Sequence, residues 1–441
     1  MKKRTVKILT VIAIVIVVLG VVYAIMVCIS SVKLNRAYAD LRKDSRPTQQ
    51  WQVIPPIIPD TENAALLYEC AIKLLKAQPS PENDLPYYLG GLSKTFIEES
   101  LDPDKLTELK QLIEQDVITL ALSIVEQGTQ RESCRFDLDY GDGLYTLLPH
   151  IPDLRNLPRI FCAKIYLEAE NGNPDIAWDM LQTQLKFADA LRTEPIIISQ
   201  LVRMSIIRLS CDTISKLCEI APPNTQQANE IQNLLKDFVD IRPLVISIDA
   251  ERMFIGEWFF NQPKRDLLKQ EDLFFRGRTY NRIGIIRTYF KPTFLADRAA
   301  YLRFMHEAAR FIEHPSSRKQ LDLLEKEIQE KGHTLTSRLA PSIFRFKVLH
   351  LEMITQLRIV QAGLALLQYK QANNAFPATL DALKLKNIKD PFSDGPLVYK
   401  TEGQNFILYS IGPDKKDNDG SPKQEKQEKD WDIVWQFPDK Q

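Results

Sequence analysis

Acidic residues cluster in one loop near the C-terminus. Asp414, Asp417 and Asp419 are followed after a short interval by Asp430 and Asp432. Calcium takes roughly six to eight oxygen ligands from carboxylates and carbonyls, and it suits irregular loops of this kind. The pattern offers a candidate calcium site, in which binding would relieve the mutual repulsion of the aspartates. The alternative is a solvated acidic loop that neighbouring lysines balance in part. These lysines are Lys415, Lys416, Lys423, Lys426 and Lys429.

The five histidines offer little support for a catalytic or metal centre. A His-Glu pair at His306 begins like the helix of a zinc protease, but Arg310 stands where the second histidine is needed. His314 lies eight residues after His306 on a similar helical face, so a metal pair is conceivable there. We interpret His150 and His350 as packing or capping residues.

Motifs of phosphate-binding and acyl-transferring enzymes are absent from the sequence. It contains no G-x-x-x-x-G-K-[ST], G-x-G-x-x-G or G-x-S-x-G segment. Asp137, Asp139 and Asp142 resemble the start of an EF-hand loop, but Leu148 stands where that loop requires glutamate. We therefore interpret them as a solvated loop, and the sequence predicts a protein that is not an enzyme.

The strongest hydropathy signal lies at the N-terminus. Residues 8–29 are a run of 22 mostly apolar residues, which as a helix would measure about 33 Å, enough for a hydrocarbon core of about 30 Å. Four basic residues precede it and two follow, which favours a cytoplasmic N-terminus. We predict an uncleaved signal anchor that crosses a bacterial inner membrane once, with the bulk of the chain in the periplasm. The alternative is a cleaved signal peptide, although its apolar core would normally have about 7–15 residues.

The formal net charge of zero hides an uneven distribution. Six of the 57 basic residues lie in residues 1–36, which contain no acidic residue, so the rest holds 51 basic and 57 acidic residues. A mildly acidic body argues against a nucleic-acid partner. The predicted partners are the membrane and proteins of the cell envelope.

Five cysteines lie outside the apolar run, and none forms a Cys-x-x-Cys pair. A zinc ribbon or a thioredoxin-like site is therefore not indicated. We expect these residues to be small buried apolar side chains, although an oxidising compartment would allow one or two disulfides. They are Cys70, Cys134, Cys162, Cys211 and Cys218.

Helical periodicity dominates residues 61–345. The clearest unit is a pair of helices at 153–170 and 175–191, with Pro174 as the first residue of the second and Asn173 as its cap. This pair resembles a tetratricopeptide (TPR-like) hairpin, although no second copy follows at the 34-residue period. Further helices are expected at 63–77, 195–217, 226–239, 246–260, 297–313 and 316–331, and two more within 93–127.

Strands are expected only near the C-terminus, at 397–400, 406–410 and 433–435, the first two joined by a turn of about five residues at 401–405. The predicted fold class is therefore mainly α, with a transmembrane helix, an α-helical body and a small α+β domain containing a short antiparallel sheet. The predicted divisions are a basic tail (1–7), the anchor (8–29), a juxtamembrane strap (30–60), the body (61–345) and the C-terminal domain (346–441).

Several short motifs follow one another in the last ninety or so residues. They are Tyr-Lys at 369–370, Phe-Pro at 376–377, Leu-Asp-Ala-Leu at 380–383, Asp-Pro-Phe at 390–392, Tyr-Ser-Ile-Gly-Pro-Asp at 409–414 and Asp-Trp-Asp-Ile at 430–433. Their order resembles the C-terminal domain of the type II secretion major pseudopilin. The resemblance implies a calcium ion held by the carboxylates of Asp414, Asp430 and Asp432 and by the carbonyl of Ile411. Asp417 and Asp419 are further candidate ligands.

The chain departs from that family in two respects. The loop at 415–429 is longer and rich in lysine, and a large helical body replaces the pilin-type leader and helix. The body is similar to that of uncharacterised bacterial membrane-anchored proteins with the same tail. We expect a non-enzymatic scaffold or accessory of a secretion or envelope system. The alternative is an envelope hydrolase with an unrecognised active site in the helical body.

Overall fold

The computed structural model describes residues 2–80, 84–98, 102–263, 290–314, 318–340, 343–385, 388–393, 395–422 and 431–438. The described chain is mainly α-helical and ends in a small antiparallel sheet, which confirms the predicted fold class. It divides into two compact units. We call Met1–Ile54, Asp139–Thr146 and Leu244–Ile343 the anchor unit, and the remaining Pro55–Leu138, Leu147–Pro243 and Phe344–Gln441 the sheet unit.

Helices account for most of the described chain and are numbered in chain order. They are α1 (Lys2–Lys43), α2 (Ala64–Lys76), α3 (Leu85–Glu98), α4 (Pro103–Ile113), α5 (Asp116–Thr129), α6 (Ile151–Glu170), α7 (Pro174–Ala188), α8 (Ile197–Ile220), α9 (Thr225–Asp237), α10 (Arg242–Glu251), α11 (Trp258–Asn261), α12 (Lys291–Glu313), α13 (Arg318–Glu330), α14 (Thr334–Leu339) and α15 (Ile343–Asn373). The strands are β1 (Val398–Glu402), β2 (Asn405–Ser410) and β3 (Ile433–Phe437).

Helix α1 of the anchor unit is long and apolar enough to cross a membrane, and most of its apolar stretch is exposed. The helix continues past residue 29 to Lys43, where it packs beside α12. Ala37 and Leu41 are buried against Leu302, and the ring centroids of Tyr23 and Phe290 lie 5.5 Å apart. Because later residues of α1 meet later residues of α12, the two helices run in parallel.

Buried charges secure the chain just after α1. Arg46 pairs with Asp249 at 3.2 Å and with Glu313, which lie on α10 and α12. Arg252 has no exposed surface, and it donates to Asp249 at 3.1 Å and to the carbonyl of Pro47. Removing one member of such a buried pair typically costs about 3–5 kcal/mol. The end of α1 is therefore held firmly to its own unit.

The helices of the sheet unit largely follow the predicted pattern, with two corrections. Residues 93–127 contain parts of three helices rather than two, since Asp102 caps α4 by accepting from the Lys105 amide at 3.0 Å and a further break separates α4 from α5. Pro174 begins α7 as expected. Asn173 does not cap that helix through its side chain, because its amide instead donates to Glu168 at 2.8 Å.

All six cysteines, each among the described residues, are free thiols. Cys162, Cys211 and Cys218 are buried, as expected. Cys70 is exposed, contrary to expectation, because α2 turns its other face to the core, with Ala71 and others buried there.

The sheet has the order β1-β2-β3 with antiparallel pairing throughout. Glu402 pairs with Asn405, so the β1–β2 turn contains two residues rather than the expected five. Gly403 has φ +59°, the left-handed conformation that two-residue hairpin turns require. The tight turn lengthens both strands beyond their predicted ends.

Candidate functional site

Asp432, a predicted calcium ligand, binds the backbone of the acidic loop through its side chain. Its carboxylate is buried and accepts the backbone amides of Gly420 at 2.8 Å and Asn418 at 3.1 Å. Burial raises the pKa of the Asp432 carboxyl, an effect that these two amides oppose and the nearby Asp417 reinforces. The side chain therefore fixes the path of the loop.

The other described aspartates of the loop have separate partners. Asp417 accepts the Tyr409 hydroxyl at 3.0 Å and the amide of Asp419 at 2.9 Å. The side chain of Asp419 is 93% exposed and lies 3.2 Å from the amino group of Lys400. Asp414 accepts the amide of Lys416 at 3.1 Å.

The described residues alone do not assemble the predicted calcium site. Among them, no three histidine, cysteine, aspartate or glutamate side chains converge as a metal-binding group. Asp430 lies outside the described residues, and the backbone amide of Ile411 faces Asp390 at 3.3 Å. A calcium ion needs more oxygens than these separate carboxylates supply, so calcium binding stays a prediction.

Asp390 is a structural centre of the C-terminal region that the sequence did not reveal. Its buried carboxylate accepts the Ser410 hydroxyl at 2.7 Å, the Phe392 amide at 2.9 Å and the Ser393 hydroxyl at 3.1 Å, besides the Ile411 amide. These contacts tie the Asp-Pro-Phe segment to the end of β2. The signal was the aspartate that opens this segment with a serine three residues later, a typical pattern for a side chain that hydrogen-bonds a local turn.

The anchor unit contains a polar cleft of about 810 Å³. Tyr38 from α1, Glu257 from the π-helical turn Arg252–Glu257 and Arg298 from α12 meet in its wall. The Tyr38 hydroxyl donates to Glu257 at 2.6 Å, while Arg298 donates to the Tyr38 oxygen at 2.9 Å and to the Glu257 carboxylate. Since Tyr38 and Glu257 are 219 positions apart, sequence spacing gave no signal for this cluster.

His150, His306 and His333 each lie beside a carboxylate. Nε2 of His306 lies 2.9 Å from Asp44, and Nε2 of His150 lies 3.0 Å from Glu194 while its ring stacks on Phe136. His150 and His350 were interpreted as packing or capping residues, and both are buried. His150 directly precedes α6 but does not cap it through its side chain.

The first acidic cluster is solvated, as expected. The three aspartates at 137, 139 and 142 are exposed, and Asp139 accepts the amide of Gly141 at 2.8 Å in a local turn. A turn of this kind uses the carboxylate to order the backbone.

The two candidate sites thus differ in chemistry: the C-terminal loop gathers carboxylates, whereas the cleft of the anchor unit combines aromatic rings, amides and one ion pair. The pseudopilin resemblance of the C-terminal residues stays a prediction. Comparisons of the chain with models of protein families, with curated proteins and with solved structures give no match in any of the three.

Proposed function

We propose that the chain is a single-pass membrane protein that acts outside the cytoplasm as a non-enzymatic scaffold or accessory of a bacterial secretion or envelope system. The observation that carries this proposal is α1. It is one unbroken helix that joins an exposed apolar stretch to a firmly held folded unit.

The exposed surface of α1 suits lipid rather than water. Ile8, Val15 and Leu19 are each at least half exposed, and the apolar residues between them are exposed to a similar extent. Soluble proteins seldom leave contiguous apolar surface of this extent open to solvent. In a bilayer the same side chains contact hydrocarbon and the helix satisfies its own backbone hydrogen bonds.

The flanking charges support a cytoplasmic N-terminus. Lys2, Lys3, Arg4 and Lys7 precede the apolar stretch, whereas Lys33 and Arg36 follow it. By the positive-inside rule, both folded units then lie on the periplasmic side of the inner membrane. There they would meet protein partners of the envelope.

The topology can be tested with the exposed thiol of Cys70. A membrane-impermeant maleimide should label the full chain in intact spheroplasts, and Cys70→Ser should lose most of that label. Labelling that requires permeabilised membranes would contradict the periplasmic placement. Extraction of the chain by carbonate would contradict the anchor itself.

The proposal extends to calcium in the C-terminal loop. Support comes from the pseudopilin resemblance and from the described aspartates in one short segment that Asp432 closes. Asp414, Asp430 and Asp432 and the carbonyl of Ile411 would hold the ion, which would offset the negative charge of the loop.

Calcium should raise the melting temperature of the detergent-solubilised full chain by a few degrees relative to EGTA. Saturating ligand at about 100-fold above its Kd stabilises a folded state by about 2.7 kcal/mol. The Asp414→Asn/Asp432→Asn variant should lose the calcium-dependent rise. Asp381→Asn removes an exposed carboxylate outside the loop and should retain it. A wild-type chain without any calcium-dependent rise would refute the metal site while leaving the topology proposal intact.

A further inference from the structure

The cleft of the anchor unit lies close to the membrane but outside it. Tyr38 is nine residues beyond the apolar stretch on the unbroken helix α1, which places it about 14 Å from the hydrocarbon. The headgroup layer on each side is about 5–8 Å thick. Given the proposed anchor, the cleft therefore opens to the aqueous compartment just above the lipid headgroups.

An exposed tryptophan, Trp51, lies in a short helical turn that lines the cleft. The side chain of Trp51 is 73% exposed, which is unusual for so large an apolar ring. Its turn, Gln50–Gln52, is held because Oε1 of Gln52 accepts the amides of Thr48 at 2.8 Å and Gln49 at 2.9 Å. The indole is thus positioned in advance for a ligand.

A second indole, Trp258, is fixed at the end of the π-helical turn. A Cβ on Gly143 would lie 2.1 Å from its ring, and the Tyr145 ring packs edge-on at 5.8 Å. Because a π-helical turn bonds residues five apart, it brings Met253 and Trp258 to the same side of the backbone. Both of these residues line the cleft.

The remaining lining is rich in groups that both donate and accept hydrogen bonds. Four carboxamides line the cleft, and each has a carbonyl oxygen and an NH₂ group. They are Gln49, Gln50, Asn261 and Gln262. The NH₂ groups of Gln50 and Gln262 each already donate one hydrogen bond, to the carbonyls of Met253 at 3.4 Å and Trp258 at 3.3 Å. The Arg42 guanidinium also lines it, and that side chain has no ion pair or hydrogen bond within the described part of the chain.

We infer that this cleft binds a short oligosaccharide of neutral or N-acetylated sugars. A sugar ring has an apolar C–H face, which stacks on an indole or phenol, and an edge of hydroxyls, which carboxamides and guanidinium groups hydrogen-bond. The volume of about 810 Å³ falls within the range of about 300–1,000 Å³ that small-molecule sites occupy.

The charges of the cleft favour a sugar over a phosphate group. Arg298 is already paired with Glu257, so one cation, Arg42, faces the cleft without a carboxylate partner in the described chain. Because Arg298 neutralises the Glu257 carboxylate, Arg42 alone would have to hold a phosphate. Among the described lining residues Glu257 is also the one carboxylate, whereas glycoside hydrolysis uses a pair of carboxyl groups. The lining therefore suits sugar binding rather than cleavage.

Titration calorimetry on the full chain in phosphatidylcholine nanodiscs tests the inference. Nanodiscs are used because the sugar headgroups of maltoside detergents would compete with the probes for the cleft. The probes are chitotetraose, cellotetraose and maltotetraose, with glycerol 3-phosphate as the phosphate probe. We expect at least one tetrasaccharide to bind and Trp51→Ala to weaken it roughly tenfold, as the loss of one aromatic stacking partner predicts. Asn261→Ala should also weaken it.

Tyr87→Ala is the matched control, because it removes an exposed aromatic ring from α3, outside the cleft. It should bind as the wild type does. The inference is overturned if no tetrasaccharide binds, if Trp51→Ala and Asn261→Ala bind unchanged, or if glycerol 3-phosphate binds more tightly than the sugars. Since Cys70 labelling reports topology alone, these outcomes are distinct from a failure of the proposed membrane anchor.

Discussion

His350 is an ionisable side chain in the interior of the sheet unit. It lies on α15 with 5% of its surface exposed. Burial lowers its pKa to about 3, and the positive charges of Lys347 and Arg203 add to that effect. Burial likewise lowers the pKa of Lys347 to about 8. The imidazole is therefore neutral across the physiological range.

This burial makes the folded state sensitive to acid. Below a pH of about 6.5 the unfolded chain binds a proton at His350 that the folded chain does not, so stability falls as the pH approaches about 3. At pH 5 the loss should be about 2 kcal/mol. Urea unfolding of the wild type and of His350→Phe at pH 7.5 and pH 5 checks this. Between pH 7.5 and pH 5 the wild type should lose about 2 kcal/mol more of its free energy of unfolding than His350→Phe does. Equal losses in the two proteins would contradict the prediction.

For single residues, the sequence predicts whether a side chain packs or binds, but not which residue it contacts. The sequence predicted a packing or capping role for His350, and the structure buries it. The hydrogen bonds of Asp390 to Ser410 and Ile411 join residues about twenty positions apart. Contacts of that range depend on the path of the whole chain, which residue spacing does not encode.

At the scale of elements, the sheet and α15 meet at one close contact. A Cβ on Gly363 would lie 1.8 Å from the ring of Trp435, which is buried in β3 and packs edge-on against Phe406 at 5.6 Å. The absence of a side chain at Gly363 therefore lets the strand lie directly against the helix.

Gly363→Ala should disrupt this contact. Overpacking in a core typically costs about 1–3 kcal/mol, and the short distance to Trp435 places Gly363 at the upper end of this range. The higher helix propensity of alanine offsets about 1 kcal/mol of that cost. We expect a net loss of about 2 kcal/mol in the free energy of unfolding, measured by urea denaturation. Gly91→Ala is the control: Gly91 lies in α3 with open space around it, so the same substitution should leave stability unchanged or raise it. Equal effects at the two sites would contradict the role of the Trp435 contact.

Helix periodicity predicted elements better than it predicted their connections. Most predicted helices exist, because each buries an apolar face of period 3.6. The π-helical turn at Arg252–Glu257 lies within the helix predicted at 246–260, and the periodic pattern did not distinguish it from an α-helix. The β1–β2 turn was predicted too long because the polar Thr401 and Glu402 concealed the end of the strand.

At the scale of the whole molecule, the anchor unit is assembled from distant parts of the sequence. Met1–Ile54, Asp139–Thr146 and Leu244–Ile343 contribute to it. The cleft draws on the first and third of these segments, and the second supports Trp258 through Gly143. Periodicity and motifs are properties of continuous segments, whereas the cleft forms only where these distant segments meet. The sequence therefore predicted the membrane helix but not the cleft beside it.

The unbroken course of α1 into its own folded unit has a mechanical consequence. No flexible tether separates the bilayer from Tyr38, so once the helix is seated in lipid the cleft is carried at a nearly constant height above the surface. In the proposed topology, the cleft would meet the inferred ligand only within a thin layer parallel to the membrane. In that topology, a change in bilayer thickness or helix tilt would raise or lower that layer, so the anchor would set the height above the membrane at which the cleft can bind.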